Sequence, residues 1–121
     1  MDELVDQLAA KAGVDKAVAE KTIGAILNFL RKEGPADKVQ TLIDAFPGAE
    51  AAIAAGSGSG GLAGLLGGGI MALGAKLMGF GLGMGQIQAI GRELFKIGRD
   101  RIGTDTMNAI IAETPGLSQF A

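Results

Sequence analysis

The sequence predicts an all-α protein that forms a single-domain helical bundle over residues 1–121. Apolar residues recur at spacings of three and four along most of the chain, which is the pattern of helices with one buried face. Nowhere do apolar and polar residues alternate as they do in a half-buried strand. Hydrophobic residues make up 48% of the sequence, which is enough to form a core. A length of 121 residues suits one domain and is too short for two ordinary domains.

Two helices are predicted before residue 34. The first covers residues 2–12 and ends at Gly13, because glycine adopts the left-handed cap conformation without a steric cost. Asp15 is expected to cap the second helix, which runs to about Lys32. The buried stripe of this second helix is predicted to consist of Ala19, Ile23, Ile26, Leu27 and Leu30.

Two shorter helices are predicted to follow. Pro35 suits the first turn of the third helix, which spans about residues 35–46. Pro47 ends that helix, because a proline in the helix interior removes a hydrogen bond and clashes with the preceding turn. Residues 49–55 are rich in alanine and are expected to add about two turns.

The whole chain contains 21 glycines, and they are concentrated in its middle. Residues 56–61 read GSGSGG, the composition of a flexible linker, and the glycine-rich, mostly apolar residues 62–85 follow. An amphipathic helix is predicted over residues 86–102. Thr104 or Asp105 is expected to cap a last helix.

One interpretation of this layout is an internal duplication. A shift of 68 residues aligns a unit at residues 1–50 with a unit at residues 69–118, and residues 51–68 become a glycine-rich joint. The shift places Gly13 on Gly81, Arg31 on Arg99, Asp37 on Asp105, Ile43 on Ile111 and Pro47-Gly48 on Pro115-Gly116. Duplication predicts two similar three-helix halves packed about a pseudo-twofold axis. The alternative is that two helical hairpins resemble each other by composition alone.

Glycines four residues apart suggest close helix packing, because small residues at this spacing let two helices approach. The candidate helix-contact residues are Gly60, Gly64, Gly68, Gly81 and Gly85. We predict that this part of the chain is buried in the fold or covered by a partner.

Membrane association through residues 61–85 is an alternative interpretation, since this segment is long enough to cross a bilayer. Lys76 opposes it, because a charge near the centre of a spanning helix costs about 2.5–3.5 kcal/mol. Four of the five methionines lie in this segment or after it and are expected to fill the core, with an adaptable contact surface as the alternative. They are Met71, Met78, Met84 and Met107.

The composition excludes most catalytic and metal-binding chemistry. The chain contains no Cys, His, Trp or Tyr, which removes disulfides, the usual zinc and haem sites, and histidine-based triads. We therefore predict no catalytic, cofactor or metal site and expect no small-molecule substrate. The formal charge of −2 and the isoelectric point of about 5.0 make nucleic acid an unexpected partner.

A basic stripe stands out on the helix predicted over residues 86–102. Arg92, Lys96 and Arg99 follow one another at i, i+4 and i+7, so they share one face. Lys96 and Asp100 have the spacing of an ordinary helical ion pair. The stripe is either a solvated face or a docking surface for an acidic partner or a phospholipid surface.

The start of the chain resembles the helical hairpin of the HU/IHF-type bacterial histone-like proteins. Residues 4–14 read LVDQLAAKAGV, residues 19–21 read AEK, and residues 38–40 read KVQ. The resemblance ends after about 40 residues, where that family has the sheet and basic arms that hold DNA. It therefore implies a hairpin suited to dimerisation and transfers no DNA-binding residue.

The whole chain is similar to small bacterial helical domains of unknown function such as the YidB-like group. The similarity consists of the Pro-Gly stops, the glycine-rich middle and the closing residues 115–120, PGLSQF. It implies a helical fold and no established activity.

These observations lead to a non-catalytic protein that acts by helix-mediated self-association or by binding another protein. Asp2, Glu3 and Asp6 are acidic where a secretory signal is basic, so a cytoplasmic location is expected. The alternatives are a membrane-associated protein that uses residues 61–85 and a nucleoid-type DNA binder.

Overall fold

The computed structural model describes residues 2–57 and 70–114, and within them the chain is helical and has no strand. This confirms the predicted all-α class. The helices are α1 (Asp2–Ala12), α2 (Lys16–Glu33), α3 (Ala36–Ala45), α4 (Ala49–Ser57), α5 (Ile70–Gly79), α6 (Met84–Ile102) and α7 (Thr104–Glu113). Gly60, Gly64, Gly68 and Pro115-Gly116 lie outside the described residues.

The helix ends differ from the prediction in two places. Helix α6 begins at Met84 rather than at residue 86, because the backbone N–H of Gly83 donates to Oε1 of Gln86 at 2.9 Å and closes the first turn. Helix α4 continues to Ser57 and so includes the first two residues of the predicted flexible linker.

The N-cap interactions predicted for α2 and α7 are not formed. Asp15 occupies the N-cap of α2, but its side chain makes no capping hydrogen bond. The N-cap of α7 is Gly103, with φ of 96°, rather than Thr104 or Asp105. Only glycine enters this region of backbone space readily, so Gly103 both ends α6 and starts α7.

The closest helix packing in the described chain joins α2 to α4. Gly24 faces α4, and a Cβ atom built on it would overlap the backbone carbonyl of Ala52 and lie 2.9 Å from the backbone N of Ile53. Gly24 and Ala52 are both buried. The hydrogen that replaces the Cβ points at the Ala52 oxygen, a Cα–H···O contact of the kind found where helices meet closely.

A single apolar core runs through both halves of the chain. Helix α1 packs on α6 as well as on α2, α5 packs on α2, and α2 also contacts α6. The largest side chains that are essentially inaccessible to water come from both halves. They are Leu8, Ile23, Leu27, Leu30, Leu42, Leu77, Ile90, Leu94, Phe95, Met107 and Ile110.

The two halves have matching helix bounds. Adding 68 to the first residues of α1, α2 and α3 gives the first residues of α5, α6 and α7. The packing is reciprocal too, since the first helix of each half lies on the long helix of the other half. Gly13 directly follows α1 and Gly81 follows α5 after one intervening residue, and both have positive φ, 70° and 92°. These features are what a duplicated unit would produce, and the duplication itself stays a prediction.

Candidate interaction surface

The basic stripe lies at the surface of α6. Arg92 and Lys96 are exposed, whereas Arg99 is half-buried and its Nε donates a hydrogen bond to Oδ1 of Asn108 at 3.3 Å. Within residues 2–57 and 70–114, no carboxylate lies within 4 Å of these three basic groups. The predicted ion pair between Lys96 and Asp100 was therefore wrong, and the positive charges of Arg92 and Lys96 face solvent.

One side of α6 is closed by α1. The Nε2 group of Gln86 donates to the carbonyl oxygen of Ala12 at 3.2 Å, and the Nε2 group of Gln7 donates to Oε1 of Glu93 at 3.2 Å. Successive residues of a helix are about 100° apart around its axis. On this count Arg92 lies about 100° around the axis from both Glu93 and Gly91, so it points to solvent between the side covered by α1 and the opposite side of α6.

A shallow apolar groove opens on that other side. The groove exists because α5 packs on α2 but makes few contacts with α6. Its walls therefore come from α5 and α6, and its floor comes from α2. The groove encloses about 20 Å³ and is lined by Ile26, Leu73, Gly74, Leu77, Ile87, Gly91 and Phe95. Pockets for small molecules enclose roughly 300–1,000 Å³. The groove is therefore too small for a metabolite and has room for about one side-chain tip.

Two exposed methionines lie near the groove, on the helices that form its walls and next to the turn that connects them. Met78 is 52% exposed and Met84 is 53% exposed, and they are the exposed large hydrophobic residues of the described chain. Met78 lies one turn after Gly74 on α5, and Met84 lies one turn before Ile87 on α6. The expectation that these methionines fill the core was wrong, although it holds for the fully buried Met107.

The corresponding gap in the first half, between α1 and α2, is closed because these two helices pack on each other. There Nζ of Lys16 lies 2.9 Å from Oδ1 of Asp6, an ion pair that links α1 to α2. The residues 68 positions later are Met84 and Gly74. The second half thus has a methionine and a glycine where the first half has a salt bridge, and α5 and α6 stand apart where α1 and α2 are in contact. We call the groove with Met78 and Met84 the open face.

Of the predicted contact glycines, Gly81 and Gly85 lie within the described residues, and neither joins two helices there. A Cβ atom built on Gly81 or on Gly85 would meet no atom within 4 Å, because both residues lie at the surface. Gly24, which sequence reasoning did not single out, makes the close helix contact instead. As contacts to another molecule, Gly81 and Gly85 stay a prediction.

Lys76 lies on α5, directly before the groove-lining Leu77, and near Lys32 of α2. Partial burial lowers the pKa of Lys76 below its usual range, and the nearby positive charge of Lys32 lowers it further. The folded chain then holds this proton less tightly than the unfolded chain. Protonated Lys76 consequently opposes folding, and this cost fades as pH rises from the folded pKa towards the unfolded value of about 10.5.

The described residues contain no group of three acidic side chains that could hold a metal ion. None of the helices that the structure describes combines the length and apolar character needed to cross a bilayer. What the described chain offers is a surface: an apolar groove, two exposed methionines and two solvent-facing cations.

Comparison with known proteins adds no relative: no family model, curated protein or solved structure is significantly similar to this chain. The resemblances to the HU/IHF hairpin and to the YidB-like group stay predictions.

Proposed function

We propose that this protein is non-catalytic and acts in the cytoplasm by helix-mediated binding, to a second copy of itself or to another protein. The binding surface is the open face of the second half. The absence of His and Cys from the sequence supports a role without covalent or metal chemistry. The small volume of the groove supports a polypeptide rather than a metabolite as the ligand.

One observation carries the proposal. The first three helices of each half begin at corresponding residues, and described residues close the gap between the first two helices in one half only. In the first half α1 packs on α2, with the exposed ion pair between Asp6 and Lys16 at the surface, whereas Gly74 and Met84 leave the second gap uncovered by any described residue. An exposed apolar surface with flexible methionines is typical of a protein-binding site.

The test measures association with and without the open face. Light scattering after size-exclusion chromatography should show a mass that rises above the monomer mass of 12.2 kDa as concentration increases. The double variant Met78→Glu/Met84→Glu should remain a monomer, because two carboxylates would be desolvated in the interface. Ala17→Glu/Ala51→Glu adds the same charge at two exposed positions elsewhere and should behave as the wild type.

If the chain binds a different protein, the same variants distinguish this case. A photo-crosslinking amino acid in place of Met78 should then capture one discrete protein in cells, and the Gly74→Leu substitution should abolish capture. A strict monomer at every concentration, together with no capture that depends on Gly74, would overturn the proposal.

A further inference from the structure

We propose that α5 is a hinged strap, which swings away from α2 about Gly81 while the other described helices stay packed. Its release uncovers the floor of the groove at Ile26, so the strap sets how much apolar surface the chain presents. This inference concerns the free chain and does not rest on the proposed function.

Helix α5 has the fewest packing partners of the described helices. It packs on α2 and makes few contacts with any other helix, whereas α1, its counterpart in the first half, packs on both α2 and α6. Its buried side chains among the described residues are Leu73 and Leu77, which line the groove together with Ile26 of α2. A helix with one neighbour and a small buried apolar face belongs to the part of a protein that opens at low cost.

Polar links to other helices are also missing from the described side chains of α5. None of them makes a hydrogen bond or an ion pair with another helix. By contrast, two side-chain hydrogen bonds join α1 to α6, and the ion pair between Lys38 and Glu113 joins α3 to α7. Links of this kind are individually weak at a surface, but they fix one helix on another. The part of α5 that the structure describes is held by apolar contact alone.

The residues of α5 weaken its closed position further. Gly74 lies inside the helix and Gly79 ends it, whereas α1 contains no glycine. Glycine is the least favourable helix residue after proline. Lys76 is half-buried, and its burial, together with the charge of Lys32 on α2, lowers its pKa. Release of the strap would return the Lys76 amine to water and move it away from Lys32.

The turn after α5 supplies the hinge. Gly81 is exposed, has a φ of 92° and has no atom within 4 Å of its Cβ position, so its backbone can rotate without a clash. Hinges are commonly a few loop residues that absorb such a change. The next residue, Leu82, is 4% exposed and anchors the turn in the core. Gln86 fixes the start of α6 through its hydrogen bond to Ala12, so the movement is confined to the α5 side of the turn.

Native-state amide hydrogen exchange measures the release. NMR follows the full chain in increasing, sub-denaturing urea, at a concentration where light scattering reports a monomer. The reporters are the hydrogen-bonded N–H groups of residues 74–81. Their protection factors should be at least about 100-fold lower than those of residues 22–30 in α2. They should hardly change with urea, because a local opening exposes little surface. Residues 8–12 of α1 should be protected about tenfold or more better than α5.

Two pairs of variants show what controls the opening. Lys76→Met removes the half-buried charge and should raise the protection of α5 severalfold, whereas Lys21→Met removes an exposed charge elsewhere on α2 and should not. Gly74→Ala should raise the protection of α5 about fivefold, because alanine is the better helix residue. Gly85→Ala adds a methyl group in equally open space on α6 and should leave the protection of α5 unchanged.

The contrary outcomes are distinct. Equal protection and equal urea dependence of α5 and α2 would overturn the proposal, because α5 would then open only when the whole chain unfolds. Opening of α1 as readily as α5 would overturn it too, since the difference in packing would have no effect. An effect of Gly85→Ala on α5 as large as that of Gly74→Ala would contradict a local release. A strap confirmed by exchange, in a chain that stays a strict monomer without Gly74-dependent capture, would leave this inference standing while the proposed function fails.

Discussion

Replacing Gly24 with alanine is expected to lower the free energy of unfolding by about 3 kcal/mol, at the upper end of the range for overpacked sites. In most helices this substitution stabilises, since alanine is favoured over glycine by about 1 kcal/mol. Here the new methyl group would overlap the backbone carbonyl of Ala52. A backbone cannot step aside as the end of a flexible side chain can, so α2 and α4 must separate. Urea denaturation followed by circular dichroism measures the change.

The matched control is the same substitution at Gly74. This glycine also lies inside a helix, but a Cβ atom there meets no neighbour within 4 Å. Gly74→Ala should therefore raise stability by up to about 1 kcal/mol. Equal effects of the two substitutions, in either direction, would show that α2 and α4 do not pack as closely as the structure indicates.

Truncating Phe95 to alanine is expected to cost about 3–5 kcal/mol, the usual range for a large aromatic side chain removed from a core. Phe95 is 1% exposed and lies on α6, the long helix of the second half. Since the two halves share one core, the loss should lower the unfolding midpoint of the whole chain in one cooperative transition.

The neighbouring residue supplies the control for Phe95. Lys96→Ala removes an exposed side chain from the same helix and should change stability by no more than about 0.5 kcal/mol. Two separate unfolding transitions in the Phe95→Ala variant, with only one displaced, would contradict a core shared between the halves.

Much of the fold could be predicted from local chemistry. The end of α1 follows from Gly13, because glycine adopts backbone conformations that end a helix. The two ends of α3 follow from Pro35 and Pro47, because proline fixes φ and cannot continue a helix. The apolar stripe of α2 is buried as its spacing predicts. The caps were harder to predict, because a capping hydrogen bond depends on side-chain geometry that the residue type permits but does not require.

The candidate site was less accessible to sequence reasoning. Arg92, Lys96 and Arg99 share a face by helical geometry alone, so the stripe could be recognised. The groove beside it could not, because it depends on how far α5 stands from α6 in space. The sequence does hold one signal of the open face: at a shift of 68 residues, Asp6 and Lys16 correspond to Gly74 and Met84. Its meaning becomes clear only once the ion pair is seen.

The glycines show the same limitation. A glycine inside a helix has the same sequence signature whether another helix covers it or solvent does. Gly24 and Gly85 both lie within helices, yet Gly24 contacts the backbone of α4 and Gly85 has open space at its Cβ position. Spacing alone therefore selected Gly81 and Gly85 and missed Gly24.

The most direct test of the open face uses the methionines as reporters. The protein is labelled with ¹³C at its methionine methyl groups, and NMR spectra are recorded as the protein concentration is raised through the range in which it associates. We expect the methyl signals of Met78 and Met84 to shift in step with binding, while the signal of the buried Met107 stays in place. Binding that leaves Met78 and Met84 unshifted, or that moves Met107 as much as either of them, would contradict the assignment of the open face as the binding surface.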